Sequence, residues 1–167
     1  MARRNLTFLI QGAVIAALYV VLTFLSNAFG LASGVIQVRF SEALTILPFF
    51  TPAAIGGLFI GCFLSNVLSG CALYDVIFGS LATLIGAFGT YLLRRYKWLA
   101  PLPPIAANTL IIPFILSYVY GFSGGIPYFM LTVGIGEVLS CGLLGMLLLF
   151  ALRPHEKIIF NTQGESK

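Results

Sequence analysis

The sequence predicts an all-α integral membrane protein of six transmembrane helices with both termini in the cytoplasm. Three observations carry this prediction. Of 167 residues, 59% are hydrophobic and only 8% are charged, at a mean hydropathy of +1.03. A soluble domain uses about 25% charged residues to face water, so this chain has nothing with which to cover an aqueous surface. Proline, glycine and charge also divide the chain into six apolar segments. In lipid such segments must satisfy their own backbone groups, so they are helices and not strands. Finally, the cations fall where an even number of spans puts them on one side.

The first span, about 5–29, follows MARRN with no small-residue cleavage site after a short apolar stretch, so it reads as a retained helix and not a signal peptide. The second, about 41–51, is short and is expected to lie tilted or under its neighbours. The third, about 53–70, starts after Thr51-Pro52. The fourth, fifth and sixth run over about 75–95, 102–121 and 127–152. Residues 1–152 are thus expected to form a single six-helix membrane domain, and 153–167 a basic cytoplasmic tail.

Orientation follows from charge. Arg3 and Arg4 precede the first span. Arg94, Arg95 and Lys97 lie between the fourth and fifth, and Arg153, Lys157 and Lys167 follow the sixth. Excess Lys and Arg mark the cytoplasmic side. The net charge of +4 is therefore an orientation signal and not a nucleic-acid footprint. Trp98, beside Lys97, fits an aromatic anchor at the inner interface. The one remaining cation, Arg39, falls outside, in company with Glu42, Asp75 and Glu137, whereas Glu156 and Glu165 sit in the tail.

Ionisable residues at membrane depth are costly and face a cavity or a partner. Glu137 lies about ten residues into the sixth span, roughly 15 Å down, with Gly134, Ser140 and Cys141 on its face. It reads as a ligand or ion contact, or as one partner of an interhelical hydrogen bond. Asp75 opens the fourth span and is either a helix cap or a ligand contact. Glu42 caps the second span, pairs with Arg39 across one turn, or faces a ligand. Asn66 lies near the outer end of the third span. Asn108 either reaches a ligand or satisfies backbone groups freed by Pro113. Phe40, Tyr74, Tyr118, Tyr120, Phe122, Tyr128 and Phe129 gather in the outer loops. Each alone is an ordinary interface aromatic. Together with the acids, Arg39 and the two asparagines, they describe a pocket that is apolar and aromatic with a few orienting polar groups. One positive and three negative groups suit a flat, amine-bearing heterocycle better than an anion, since a carboxylate accepts two parallel N–H bonds.

The chain lacks GxxxxGK[ST], so it has no P-loop. Its one histidine, His155, is in the tail, which leaves no Ser–His pair in the membrane. The outer acids lie on three different spans without the clustered spacing of a metal site, and no metal or other cofactor is expected. Cys62, Cys71 and Cys141 show no CxxC pattern and read as small packing residues. The protein is expected to have a pocket and no catalytic activity of its own. Ala13 and Ala17 in the first span form AxxxA, a spacing that permits close helix contact. Gly57 with Gly61, and Ala82 with Gly86, repeat that spacing and read as internal packing.

Taken together, AVIAALYVVLT, VRFSEALTILPFFTPAAIGGLFIGCFLSN and DVIFGSLATLIGA resemble an S component of an energy-coupling factor (ECF) transporter. The last two stretches resemble the QueT family, the S components for queuosine precursors. The likeness runs from about residue 5 to 152. It implies an ECF S-component-like bundle in a prokaryotic cell membrane. Such a protein would bind a 7-deazaguanine such as preQ1, queuine or queuosine from outside, then topple to release it inward. It also implies two kinds of partner, a membrane-embedded coupling protein (EcfT) and two cytoplasmic ATPases (EcfA and its paralogue). Ala13 and Ala17 match the family's coupling-face motif. On this reading Glu137 or Glu42 takes the donor edge of the base, Asn66 or Asn108 its carbonyl, and Asp75 its amine. Arg39 organises the lid through Glu42, and Tyr74, Tyr118 and Tyr128 complete the substrate-binding set. The alternatives are an S component for another vitamin, a small membrane-embedded lipid-modifying enzyme, and a channel-forming oligomer.

Overall fold

A computed structural model describes residues 2–31, 36–121 and 124–160, and among these every regular element is helical. In order they are α1 (Ala2–Ala28), a 3-10 helix (Phe40–Phe49), α2 (Ala53–Leu68), α3 (Leu73–Leu92), α4 (Leu102–Tyr118) and α5 (Ile126–Glu137). A π-helical segment (Val138–Leu144) then leads into α6 (Gly145–Leu152), a 3-10 turn (Arg153–His155) and α7 (Glu156–Ile159). Three runs are long and apolar enough to cross a bilayer: Asn5–Ala28, Leu73–Leu92 and Ile126–Ile159. The predicted second, third and fifth spans are shorter apolar helices, Phe40–Phe49, Ala53–Leu68 and Leu102–Tyr118.

Each element has a local cause. Helix α1 buries one stripe, Ile15, Ala16, Tyr19, Thr23 and Ser26, and exposes Leu9, Ile10, Val14, Leu18 and Val21. This is the 3.6-residue period of a helix packed on one side only. It ends where Gly30 takes φ 71°. There the Leu31 N–H donates to the Ser26 carbonyl, and the Gly30 N–H to that of Asn27. Gly70, at φ 69°, closes α2 by the same pattern, Cys71 to Asn66 and Gly70 to Val67. Both ends are left-handed glycine caps that satisfy the last carbonyls.

The second span is the main departure from expectation. It is a ten-residue 3-10 helix with Pro48 inside it. Proline lacks an N–H, and β-branched Thr45 and Ile46 favour helix less than the residues around them. Ten residues rising about 2.0 Å each cover roughly 20 Å. Runs of this length are uncommon because the hydrogen bonds are poorly aligned. Here the helix packs against α1, α2, α3, α6 and the π segment. Seven of its residues are buried, from Ser41 and Glu42 to Pro48. Its irregular backbone is therefore surrounded by protein and not by lipid, the condition under which such backbone is tolerated in a membrane. Side chains supplement it: Thr45 Oγ1 donates to the Glu42 carbonyl at 2.6 Å, and Cys141 Sγ lies 3.4 Å from the same oxygen.

Small residues set the helix spacing. A Cβ on Gly57 would lie 3.1 Å from that of Ile15, and one on Gly61 would lie 2.7 Å from that of Tyr19, so α1 and α2 touch backbone to backbone. On α3, a Cβ at Gly86 would meet Pro104 at 2.6 Å. Ala13 and Ala17, by contrast, are exposed, on the side of α1 turned away from α2. The basic end of the bundle carries Arg94, Arg95, Lys97, Arg153 and Lys157. Trp98 there sits edge-on to Phe150 at 5.6 Å, with Lys97 Nζ over both rings. The described part of the tail packs against this bundle, with Phe160 stacked on Phe50 at 5.1 Å. Arg3, Arg4, Phe122, Glu165 and Lys167 belong to residues whose side chains lie outside the description.

Close packing at Gly61 has a measurable consequence. Gly61→Ala forces α1 and α2 apart and is expected to destabilise the protein by about 1–3 kcal/mol. Gly56→Ala, with open space around the new methyl, should stabilise it by roughly 0.5–1 kcal/mol through helix propensity. Thermal unfolding of the two variants in detergent should shift in opposite directions; equal shifts would contradict the packing described.

Candidate functional site

A narrow cleft, with about 30 Å³ open to a water-sized sphere and about 450 Å³ of empty space when its open mouth is counted, lies among the helices toward the end opposite the basic residues. Six elements build it. Gln37 and Arg39 come from the extended stretch before the 3-10 helix, and Glu42 from the 3-10 helix itself. Helix α2 gives Cys62, α3 gives Gly79 and Thr83, α4 gives Asn108 and Ile112, and α5 gives Val133 and Glu137. The apolar walls and small α3 residues leave a slot, and the polar groups converge on it.

Glu42 is the most enclosed of these groups, at 3% exposure. The Tyr19 hydroxyl donates to its Oε1. Asn108 Nδ2 donates to its Oε2 at 3.5 Å. The alternatives drawn for Glu42 are thereby corrected. Arg39 occupies the cap position of the 3-10 helix, no side chain caps that helix, and among the described residues Arg39 and Glu42 form no ion pair. Asn108 likewise turns its amide to Glu42 and not to the backbone freed by Pro113.

Glu137 is half-buried and accepts from the Cys141 thiol at 3.1 Å, a weak donor. One oxygen each of Glu42 and Glu137 and the Cys141 sulfur all lie within 4.8 Å of one another. By geometry these three are the groups that could hold a cation, a proximity invisible in the sequence because Glu42 and Glu137 lie on separate elements. Cys141 is thus a polar partner, and Cys62 lines the cleft, whereas both read as packing residues from sequence.

Asp75 and Asn66 stand beside the cleft. Helix α3 begins at Leu73 after Ala72, with no side-chain cap, so Asp75 is a first-turn residue and not the cap. Its carboxylate accepts from the Tyr120 hydroxyl at 3.1 Å, and the Ala72 N–H donates to that same hydroxyl at 3.2 Å. Asn66 Nδ2 reaches the Asp75 carbonyl at 3.5 Å and Cys62 Sγ at 3.6 Å.

Among the described residues no aromatic ring lines the cleft, so the expected aromatic pocket is not found there. Tyr74 and Tyr118 line a separate apolar groove on the outer surface of α3 and α4, where Tyr118 is 75% exposed. Tyr128 packs edge-on to Phe129 at 5.7 Å, also away from the cleft. These three rings sit in the end turns of α3, α4 and α5 and not in loops, on faces turned away from the cleft.

Comparison with known proteins places this arrangement. A family model described as QueT transporter matches residues 9–154. The chain belongs to the QueT transporter family. A relative, the queuosine precursor transporter QueT of Lactococcus lactis subsp. cremoris (strain MG1363), is 42% identical over 86 residues. That match covers 51% of this chain and 50% of the relative, so it spans half the length of that protein. No solved structure matches the chain. With its long apolar helices, this family member is a membrane protein of a transporter family.

The hydrogen bond from Tyr19 had no counterpart in the sequence reading. Its signal was present: Tyr19, Thr23 and Ser26 form a polar line along the buried stripe of α1. Tyr19→Phe leaves the enclosed Glu42 short of a donor and should lower stability by about 1–3 kcal/mol. A melting temperature equal to that of the unsubstituted protein would show that the bond supports nothing.

Proposed function

We propose that this protein is the substrate-binding membrane subunit, the S component, of an ATP-driven ECF uptake transporter for a queuosine precursor. The observation that carries the reading is the convergence of Glu42, Glu137, Asn108 and Arg39, from four separate elements, on one cleft inside an otherwise apolar bundle. Such groups are costly in a membrane and mark a ligand path. Family membership supports a transporter, and the name of the Lactococcus relative points to the queuosine-precursor class. In this reading all six apolar segments cross the membrane, the 3-10 helix spanning under cover of its neighbours. Both termini are cytoplasmic, because the basic end faces the negatively charged inner surface.

The ligand is a 7-deazaguanine such as preQ1, queuine or queuosine. Its ring N–H and amino group offer parallel donors, which a carboxylate accepts as a pair. Glu137 is the acceptor best placed to do this, since Glu42 is already held by Tyr19 and Asn108. The binding subunit itself hydrolyses nothing. It associates through the exposed Ala13/Ala17 face of α1 with a coupling protein, which works with two ATPases, and topples to release substrate inward. Small residues one turn apart let a partner helix approach closely.

Two substitutions separate binding from coupling. Glu137→Gln should weaken preQ1 binding by the purified protein roughly ten- to a hundredfold and leave unfolding little changed. Ala17→Leu should bind as tightly as the unsubstituted protein but abolish uptake of labelled preQ1 by cells that carry the ECF module. Unchanged affinity in Glu137→Gln would remove Glu137 from the site, and normal uptake by Ala17→Leu would remove α1 from the coupling face.

A further inference from the structure

Which group reads the ligand's acceptor atom follows from the donors that the cleft leaves uncommitted. Asn108 Nδ2 is turned to Glu42. Asn66 stands behind Cys62, with its amide on the Asp75 carbonyl. The Thr83 hydroxyl donates back to the Gly79 carbonyl at 3.1 Å. Two side-chain amide or guanidinium donors remain, Gln37 and Arg39. Among the described residues the Arg39 guanidinium makes no hydrogen bond or ion pair; its backbone N–H donates to Ser140 Oγ at 3.1 Å, and its carbonyl accepts from the Glu42 N–H at 3.1 Å. A permanently charged group with five N–H donors, half-buried at a cleft within an apolar bundle, needs acceptors. Gln37, being neutral, would make the weaker bond.

The stretch bearing Arg39 is clamped beside Glu137. The Gln37 carbonyl lies so close to Gly136 that a Cβ there would collide with it. Arg39 is tied to Ser140. Gly136 and Ser140 stand on either side of Glu137 in the chain, so the two clamps hold the guanidinium-bearing stretch and the Glu137 carboxylate on the same wall.

We propose that Arg39 reads the ring carbonyl of the ligand and that, with Glu137, it restricts the site to bases in which an acceptor oxygen stands next to an N–H. Arg39 is then a specificity-determining contact, in place of the asparagines and of a structural pairing with Glu42. This assignment rests on the queuosine-precursor reading above and deepens it.

The test compares 7-deazaguanine with its 6-thio analogue, which keeps the ring N–H and amine but replaces the oxygen by a weakly accepting sulfur. Binding to the purified full chain is measured calorimetrically. The unsubstituted protein should prefer the oxygen compound roughly tenfold or more. Arg39→Gln should lose affinity for the oxygen compound and bind the two alike; Arg39→Lys, which keeps the charge but not the planar fork, should narrow the preference without losing the fold. A preference that survives in the lysine variant unchanged, or an equal loss for both compounds, overturns the role of Arg39 while leaving the transporter reading intact. Binding of preQ1 with no binding of 7-deazaguanine overturns the ring-carbonyl contact alone, and failure to bind preQ1, queuine and queuosine as well overturns the queuosine-precursor reading.

Discussion

Glu42 is enclosed within the helix bundle, and among the described residues no cation hydrogen-bonds to it. Its hydrogen bonds come from a neutral hydroxyl on α1 and a neutral amide on α4. A buried carboxylate with too few donors is destabilising, so Tyr19 and Asn108 must be brought to Glu42 to satisfy it. That requirement fixes three elements relative to one another. Tyr19 can approach only because Gly61 lets α1 lie against α2. Glu42 is presented inward by a 3-10 helix that the surrounding helices cover. Asn108 is set by α4, whose first turn packs Pro104 into the notch at Gly86.

The same constraint shapes the cleft. With Glu42 held on both oxygens, Glu137 is the carboxylate with capacity to spare, and Arg39 the cation with donors to spare. The scaffold thus spends its neutral polar groups on holding one acid in place, and leaves its charged ones facing the space where a ligand enters. Helix α1 has two unlike faces. One carries Tyr19 into the network, and the other shows Ala13 and Ala17 to the membrane. On the proposed function, binding and coupling share a single rigid element, which is economical in a chain of 167 residues.

Much of the fold was legible in the sequence, because proline, glycine and charge punctuate it. The starts of α2 after Pro52 and of α4 after Pro101 follow from that punctuation, and the Gly57/Gly61 and Ala82/Gly86 pairs read correctly as internal packing. The 3-10 and π segments were not legible. Their hydrogen-bond registers depend on what surrounds them, and Phe40–Phe49 has no composition that separates it from a short α-helix. Within the candidate site, Arg39, Glu42, Asn108 and Glu137 stood out as polar groups in an apolar chain, and all four line the cleft. Tyr19 was hidden because attention to AxxxA favours the opposite face of α1. Tyr74, Tyr118 and Tyr128 lie in the end turns of α3, α4 and α5, and position along the sequence fixes depth but not which way a ring points.

The central claim is that this cleft recognises a 7-deazaguanine. The most direct measurement is calorimetric titration of the purified, detergent-solubilised protein with preQ1, queuine, queuosine, guanine, riboflavin and thiamin. The account predicts tight, saturable binding of at least one deazaguanine and little heat from riboflavin or thiamin. Preferential binding of either vitamin, or no binding by any of the six, would contradict it.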